Sequence, residues 1–214
     1  MVFKVLTALN MNHTEIKKFL SEFESKHERT IVIIDYGNVD KWKQSLQWEV
    51  SIRHIGQLIR FFSYGNQSLR RFYYGADYGK NERETALLPW SKSVLETARN
   101  NKFEIVSKRV KYIHEQSSMH AFSKKCDLDV EMAVDLIKMR DSYDTIVLFS
   151  GDGDLMYAAK YLKDEYGKIC YIFGARGHVG REVMDAKNAG DVADIFYAED
   201  FEYRLNPHYE ISRH

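Results

Sequence analysis

Residues 31–34 read Ile-Val-Ile-Ile, and this run narrows the possible folds more than any other part of the chain. Four consecutive β-branched apolar residues are too short for a buried helix and fit a strand covered on both faces. Comparable runs follow at 71–74, 103–106, 145–149, 169–173 and 195–197. Between them, apolar residues recur at helical spacing: Ile52, Ile55, Leu58, Ile59 and Phe62, then the segment 87–98, then Val130, Ala133, Val134 and Ile137, then Leu155, Ala158, Ala159 and Leu162. Strands alternating with helices predict an α/β fold with right-handed crossovers and a mainly parallel central sheet between two helical layers.

Ahead of this pattern, Asn12-x-x-Glu15 has the form of a capping box opening a helix with Ile16, Phe19, Leu20 and Phe23 on one face. The chain therefore divides into an N-terminal helical extension (1–29), suited to packing or a homodimer contact, one domain (30–202) and a short tail (203–214). A length of 214 residues suits a single domain with a full core, and two prolines leave little room for a linker. Cys126 and Cys170 are too isolated for a disulfide framework or a zinc site and read as buried thiols of a reducing compartment. The opening residues lack signal-peptide features, and no stretch approaches the roughly 20 apolar residues that span a bilayer. The expectation is a cytoplasmic protein with no membrane partner.

In an open parallel sheet, functional groups collect at the carboxyl ends of strands. The first strand ends in Asp35-Tyr-Gly-Asn38, and the fourth in Ser150-Gly-Asp152-Gly-Asp154, where two glycines let the backbone turn sharply. Asp127-x-Asp129 opens the helix before that fourth strand, where a helix N-terminus partly offsets negative charge. If the first strand lies beside the fourth, Asp35, Asp129, Asp152 and Asp154 converge, and so many carboxylates in one crevice repel unless protons or cations neutralise them. Oxygen donors without His or Cys select Mg²⁺ or Mn²⁺. Such ions suit phosphodiester hydrolysis, for which no protein nucleophile is needed. Plainer readings stand beside this one. Asp152 or Asp154 could cap the following helix, though not both, and Asp127 could cap its own.

Net charge is zero, but unevenly distributed. From Lys102 to Lys125 six Lys/Arg face two acids, whereas from Cys126 onward 10 Lys/Arg face 18 Asp/Glu. Lys108, Arg109, Lys111, Lys124 and Lys125, interleaved with Phe103, Tyr112 and Phe122, have the composition of a groove for single-stranded nucleic acid. A strand hairpin with a solvated basic face would have the same composition. The aromatic stretch 70–78 reads as core strand, with Tyr78 the candidate for an exposed ring.

The segments IVIIDYGNV, KKCDLDVEMAVDLI, TIVLFSGDGDLMYAAKYL, GKICYIFG and DVADIFY, in that order, resemble the NYN (LabA-like) family of PIN-like nucleases over roughly residues 30–200. The resemblance implies a PIN-like, Rossmannoid three-layer sandwich and divalent-metal ribonuclease activity on single-stranded or structured RNA. It places the metal-binding acids on Asp35, Asp129, Asp152 and Asp154, with Asn38 as companion and Asp135 and Asp194 as recurrent acids; Ser150 adjoins the last pair. Lys124-Lys125-Cys126-Asp127 stands where the family has a glycine-rich approach, leaving Asp127 or Asp129 as the central acid. By spacing, Asp135 falls off the face of Asp129 and fits a solvated helix position. Two other functions compete: a non-catalytic RNA-binding or regulatory module with a retained metal site, and a haloacid-dehalogenase-like phosphatase. The phosphatase would need a second aspartate where Gly37 stands.

Overall fold

A computed structural model of the chain describes residues 13–114 and 122–209. Asn12 of the capping box and residues 115–121, within the basic segment, lie outside the described residues. The strands are β1 (Thr30–Asp35), β2 (Leu69–Ala76), β3 (Glu104–Arg109), β4 (Lys111–His114), β5 (Phe122–Lys125), β6 (Thr145–Phe149), β7 (Ile169–Gly174) and β8 (Asp194–Tyr197). The principal helices are α1 (His13–Lys26), α2 (Tyr36–Val39), α3 (Lys43–Leu46), α4 (Ile52–Leu58), α5 (Pro89–Asn100), α6 (Asp129–Lys138), α7 (Met156–Tyr166), α8 (Arg181–Asn188) and α9 (Glu202–Leu205).

Six strands form one parallel sheet in the order β3-β2-β1-β6-β7-β8, and β4 and β5 form a separate antiparallel pair. The alternation of side chains along a strand divides the core in two. Val32 and Ile34 of β1, Val147 and Phe149 of β6 and Phe72 of β2 face the layer containing α1, α4 and α5. Their neighbours Ile31, Ile33, Ile146, Leu148 and Tyr73 face Met132 and Leu136 of α6, Ala159 and Leu162 of α7 and Val183 of α8. The result is a three-layer α/β sandwich. Its strand order reverses direction between β1 and β6, which is where such sheets open a crevice at their carboxyl edge.

α1 buries Ile16, Leu20 and Phe23 in the first of these cores. Phe19 meets Phe196 of β8 at 4.8 Å between ring centroids, and Phe23 meets Tyr171 of β7 at 5.0 Å. The helix is thus an integral wall of the domain. No helix among the described residues is long and apolar enough to cross a membrane. Both cysteines are free; Cys170 is buried as expected, whereas Cys126 is only half-buried, because it lies at the end of β5 beside an exposed loop.

Asp135 departs from its expected solvated position. Its carboxylate pairs with Arg71 and accepts from the Tyr73 hydroxyl at 2.7 Å, a partly buried contact that ties α6 to β2. A carboxylate in such surroundings needs paired donors to offset desolvation, and Arg71 holds Asp135 below the usual carboxylate range.

Candidate active site

The carboxyl ends of β1 and β6 lie side by side, with Ile34 level with Phe149, so Asp35 and Ser150 are the next residues out. Asp35 is half-buried. One carboxylate oxygen accepts from the Asn38 backbone N–H at 3.2 Å, capping α2, and the other accepts from the Ser150 hydroxyl at 3.0 Å. The cap explains Asp35 only in part, since the same carboxylate is also aimed at the neighbouring strand.

Asn38 braces the two loops that carry the acids. Its amide oxygen accepts from the Trp42 indole at 2.8 Å and from the Gly151 N–H at 3.0 Å. It therefore fixes the turn after β6 to the loop after β1. Within the turn, the Ser150 hydroxyl receives the Asp152 N–H at 3.2 Å, and Asp152 receives the Asp154 N–H at 3.3 Å. Neither aspartate's side chain caps α7, so the capping alternative does not explain them. Asp152 and Asp154 are both exposed at the mouth of the crevice.

Asp127 and Asp129 arrive from the third side. Asp127 accepts from the Asp129 backbone N–H at 3.2 Å, as a capping residue would. Burial, the adjacent Asp127 carboxylate and the charges of Asp35 and Asp152 push the Asp129 carboxyl up to about 7. Asp35 is also raised, chiefly by burial, with the Asp152 charge adding to the effect. Asp127 is lowered by its hydrogen bonds with Asp129. Asp35, Asp127, Asp129 and Asp152 thus lie within electrostatic reach of one another. Among the described residues, no group of three or more His, Cys, Asp or Glu side chains is gathered closely enough to hold a metal ion. Asp194 lies elsewhere, at the start of edge strand β8, paired with Lys187.

A raised carboxyl is protonated more readily in the folded than in the unfolded chain, so its stabilising contribution is complete below the ordinary carboxylate range and lost as pH rises through the folded value. In EDTA, the melting temperature of the wild type should therefore decline as pH rises from about 5 to about 7, following Asp129. Asp129→Asn should flatten that decline; the same decline in the variant would assign it to other groups.

Sequence reasoning missed the segment after β7. A shallow cleft of about 350 Å³ beside the acids is lined by Asn38, Asp152, Gly177, His178, Gly180 and Glu182, among others. The Gly180 N–H donates to the Gly151 carbonyl at 2.8 Å, joining this segment to the turn. A methyl group on Gly151 would lie 1.7 Å from the His178 carbonyl oxygen, and one on Gly153 would lie 2.5 Å from Glu182 Cβ. The available signal was the spacing of Gly177 and Gly180 just beyond the strand next to β6.

Of the five basic residues predicted to contact nucleic acid, three already have partners. Lys108 pairs with Glu131 at 2.5 Å, Lys124 pairs with Asp77 at 2.9 Å, and Arg109 donates to the carbonyls of Asn81 and Glu84, each at 2.7 Å. The Arg109 guanidinium also lies over Tyr78, 4.7 Å from the ring centroid. Lys111 and Lys125 are exposed and have no side-chain partner among the described residues.

A parallel α/β sandwich that gathers aspartates at its switch point defines the class: a Rossmannoid domain of PIN-like form with an acidic site at the carboxyl edge of its sheet. The NYN domain profile matches residues 29–200, and the chain belongs to the NYN domain family. It is similar to the Low amplitude and bright protein LabA of Synechococcus elongatus, with 31% identity over 84 residues, 39% of this chain and 45% of that protein. The match thus spans less than half of that relative. Among solved structures it is similar to a Vibrio parahaemolyticus protein of unknown function, with a TM-score of 0.62 and 18% identity over 84% of this chain and 96% of the other. That likeness is one of fold.

Proposed function

We propose that the protein is a ribonuclease that hydrolyses phosphodiester bonds with the help of Mg²⁺ or Mn²⁺ held by Asp35, Asp129 and Asp152, with Asp154 and Asp127 at the margin of the same site, and that it acts in the cytoplasm. The observation carrying this reading is the convergence of carboxylates delivered by three separate elements, where burial first, and then Asp127 and the charges of Asp35 and Asp152, raise Asp129 to about 7. Protons and cations neutralise such a cluster alike, and oxygen-only donors suit a hard divalent cation, on which Asp35, Asp129 and Asp152 would close from a spacing wider than that of a formed metal site. When bound, such an ion neutralises a phosphate and lowers the pKa of water.

The remaining work falls to the chain's own groups. Ser150 holds one Asp35 oxygen while the α2 N-terminus holds the other, so this carboxylate cannot swing away. Asn38 fixes the turn that presents Asp152. Incubating labelled RNA with Mg²⁺, with Mn²⁺ and with EDTA, beside an Asp152→Asn control, tests the proposal. Metal-dependent cleavage that disappears in the variant is the expected result. RNA that is bound but uncut under every condition would leave a non-catalytic module, and equal cleavage by Asp152→Asn would move the chemistry elsewhere.

A further inference from the structure

The pair of strands β4 and β5 lies beside the acid site and carries an unusual arrangement of charge. In their antiparallel register Lys111 stands directly opposite Lys125. Directly opposed like charges destabilise a strand pair, whereas an acid across from a lysine stabilises it. The neighbouring cations have partners, as described above. Lys111 and Lys125 are oriented otherwise, because side chains alternate along each strand. Tyr112 and Lys124 turn inward to Asp77, so the adjacent lysines project from the opposite face.

The frame holding them is well anchored. Asp77 is fully buried and accepts from the Tyr112 hydroxyl at 2.8 Å, from the Gly79 N–H at 2.8 Å and from Lys124 at 2.9 Å. Cys126, which follows Lys125, packs so closely on β2 that a methyl group on Gly75 would lie 2.9 Å from its Cβ. Lys125 stands two residues before Asp127, and its charge acts on that carboxylate.

We propose that Lys111 and Lys125 form a clamp for a backbone phosphate of a single-stranded polynucleotide, on the β2–β3 side of the acid site. The proposal rests on the polynucleotide reading above. An anion between the two ammonium groups removes their repulsion, and because the strand pair is anchored through Asp77 the ordering cost is confined to the lysine side chains. A strand held there crosses the carboxyl edge of the sheet, over the acids, toward the cleft lined by His178 and Glu182. That path requires substrate on both sides of the attacked bond.

The test is the salt dependence of binding of a short fluorescein-labelled single-stranded RNA, and of the matching DNA, in EDTA. Each lost phosphate contact should reduce the slope of log affinity against log salt by about 0.7, and because the two lysines share one phosphate, Lys111→Gln combined with Lys125→Gln should lose about 0.7. Lys160→Gln combined with Lys163→Gln on α7, a charge-matched double change at lysines paired with Asp164 and Asp191, should keep the wild-type slope. Lys125→Glu supplies a second readout, because a glutamate opposite Lys111 makes a cross-strand ion pair. Its melting temperature should hold or rise while its RNA affinity falls. An unchanged slope in the double variant, or no binding by the wild type, overturns the clamp. Hydrolysis of bis(p-nitrophenyl) phosphate by the wild type with Mn²⁺ reports on the acid site without a polynucleotide. Strand binding without that hydrolysis keeps the clamp and removes the nuclease reading.

Discussion

Asp35→Asn should lower RNA cleavage by about a hundredfold or more while leaving the metal-free protein as stable as the wild type, or more so. Replacing a group that merely supports a metal ligand costs about 10- to 100-fold, and a ligand should cost at least as much. The stability claim follows from burial, which penalises the Asp35 charge and raises its carboxyl. An asparagine keeps an acceptor for the Asn38 N–H or the Ser150 hydroxyl and carries no charge. Asn38→Ala should behave in the opposite sense. It leaves the Trp42 indole and the Gly151 N–H without their acceptor, and orphaned buried donors cost about 1–3 kcal/mol each, so melting temperature and activity should fall together. Mn²⁺ affinity by calorimetry, cleavage rate and thermal unfolding on these two variants check the pair. Wild-type cleavage by Asp35→Asn at saturating Mn²⁺ would falsify the assignment of this carboxylate.

Gly151→Ala should be the most damaging single-methyl change in the domain. The added carbon would meet a backbone carbonyl at 1.7 Å, and a carbonyl held within a packed turn cannot rotate away as a side-chain end does. Overpacking of rigid surroundings costs about 3 kcal/mol or more, unless the turn separates from the segment after β7 and carries Asp152 out of place. Either response removes activity. Gly167→Ala is the informative comparison: Gly167 ends α7 at φ 65° with nothing within 4 Å of the added methyl. That change should cost about 1 kcal/mol, the ordinary penalty of the left-handed conformation, with cleavage intact. Denaturant unfolding of both variants separates the two cases; similar losses in the two would show that the turn tolerates the methyl.

The sheet was legible because burial on both faces leaves a direct mark on composition. Ile31 to Ile34 had to be apolar at every position, since alternate residues enter different cores. The neighbouring placement of β1 and β6, and with it the approach of Asp35 to the turn at Ser150, followed from topology that parallel sheets share. Partners distant in sequence left no such mark. Nothing in the spacing of Asp135 indicates that Arg71, on another element, draws it inward. Likewise Asn38 and Gly151 are 113 positions apart, and a polar residue near an acid reads equally well as a ligand or as a brace. The basic segment was legible only as composition: charge can be counted in a sequence, but whether a lysine already has a partner, as Lys108 and Lys124 do, is decided in three dimensions.

The aromatic contacts of α1 bear on where this domain may be cut. The family profile begins at residue 29, after the helix has ended. A fragment trimmed to that boundary would keep every acid and strand of the candidate site, yet it would uncover Tyr171 and Phe196, which stack on each other at 5.4 Å, together with Phe62 beneath Phe23. Exposed rings on an edge strand and its neighbour invite self-association. The helix thus covers one flank of the sheet, and a fragment that begins at residue 29 should be less soluble and melt lower than one that keeps it.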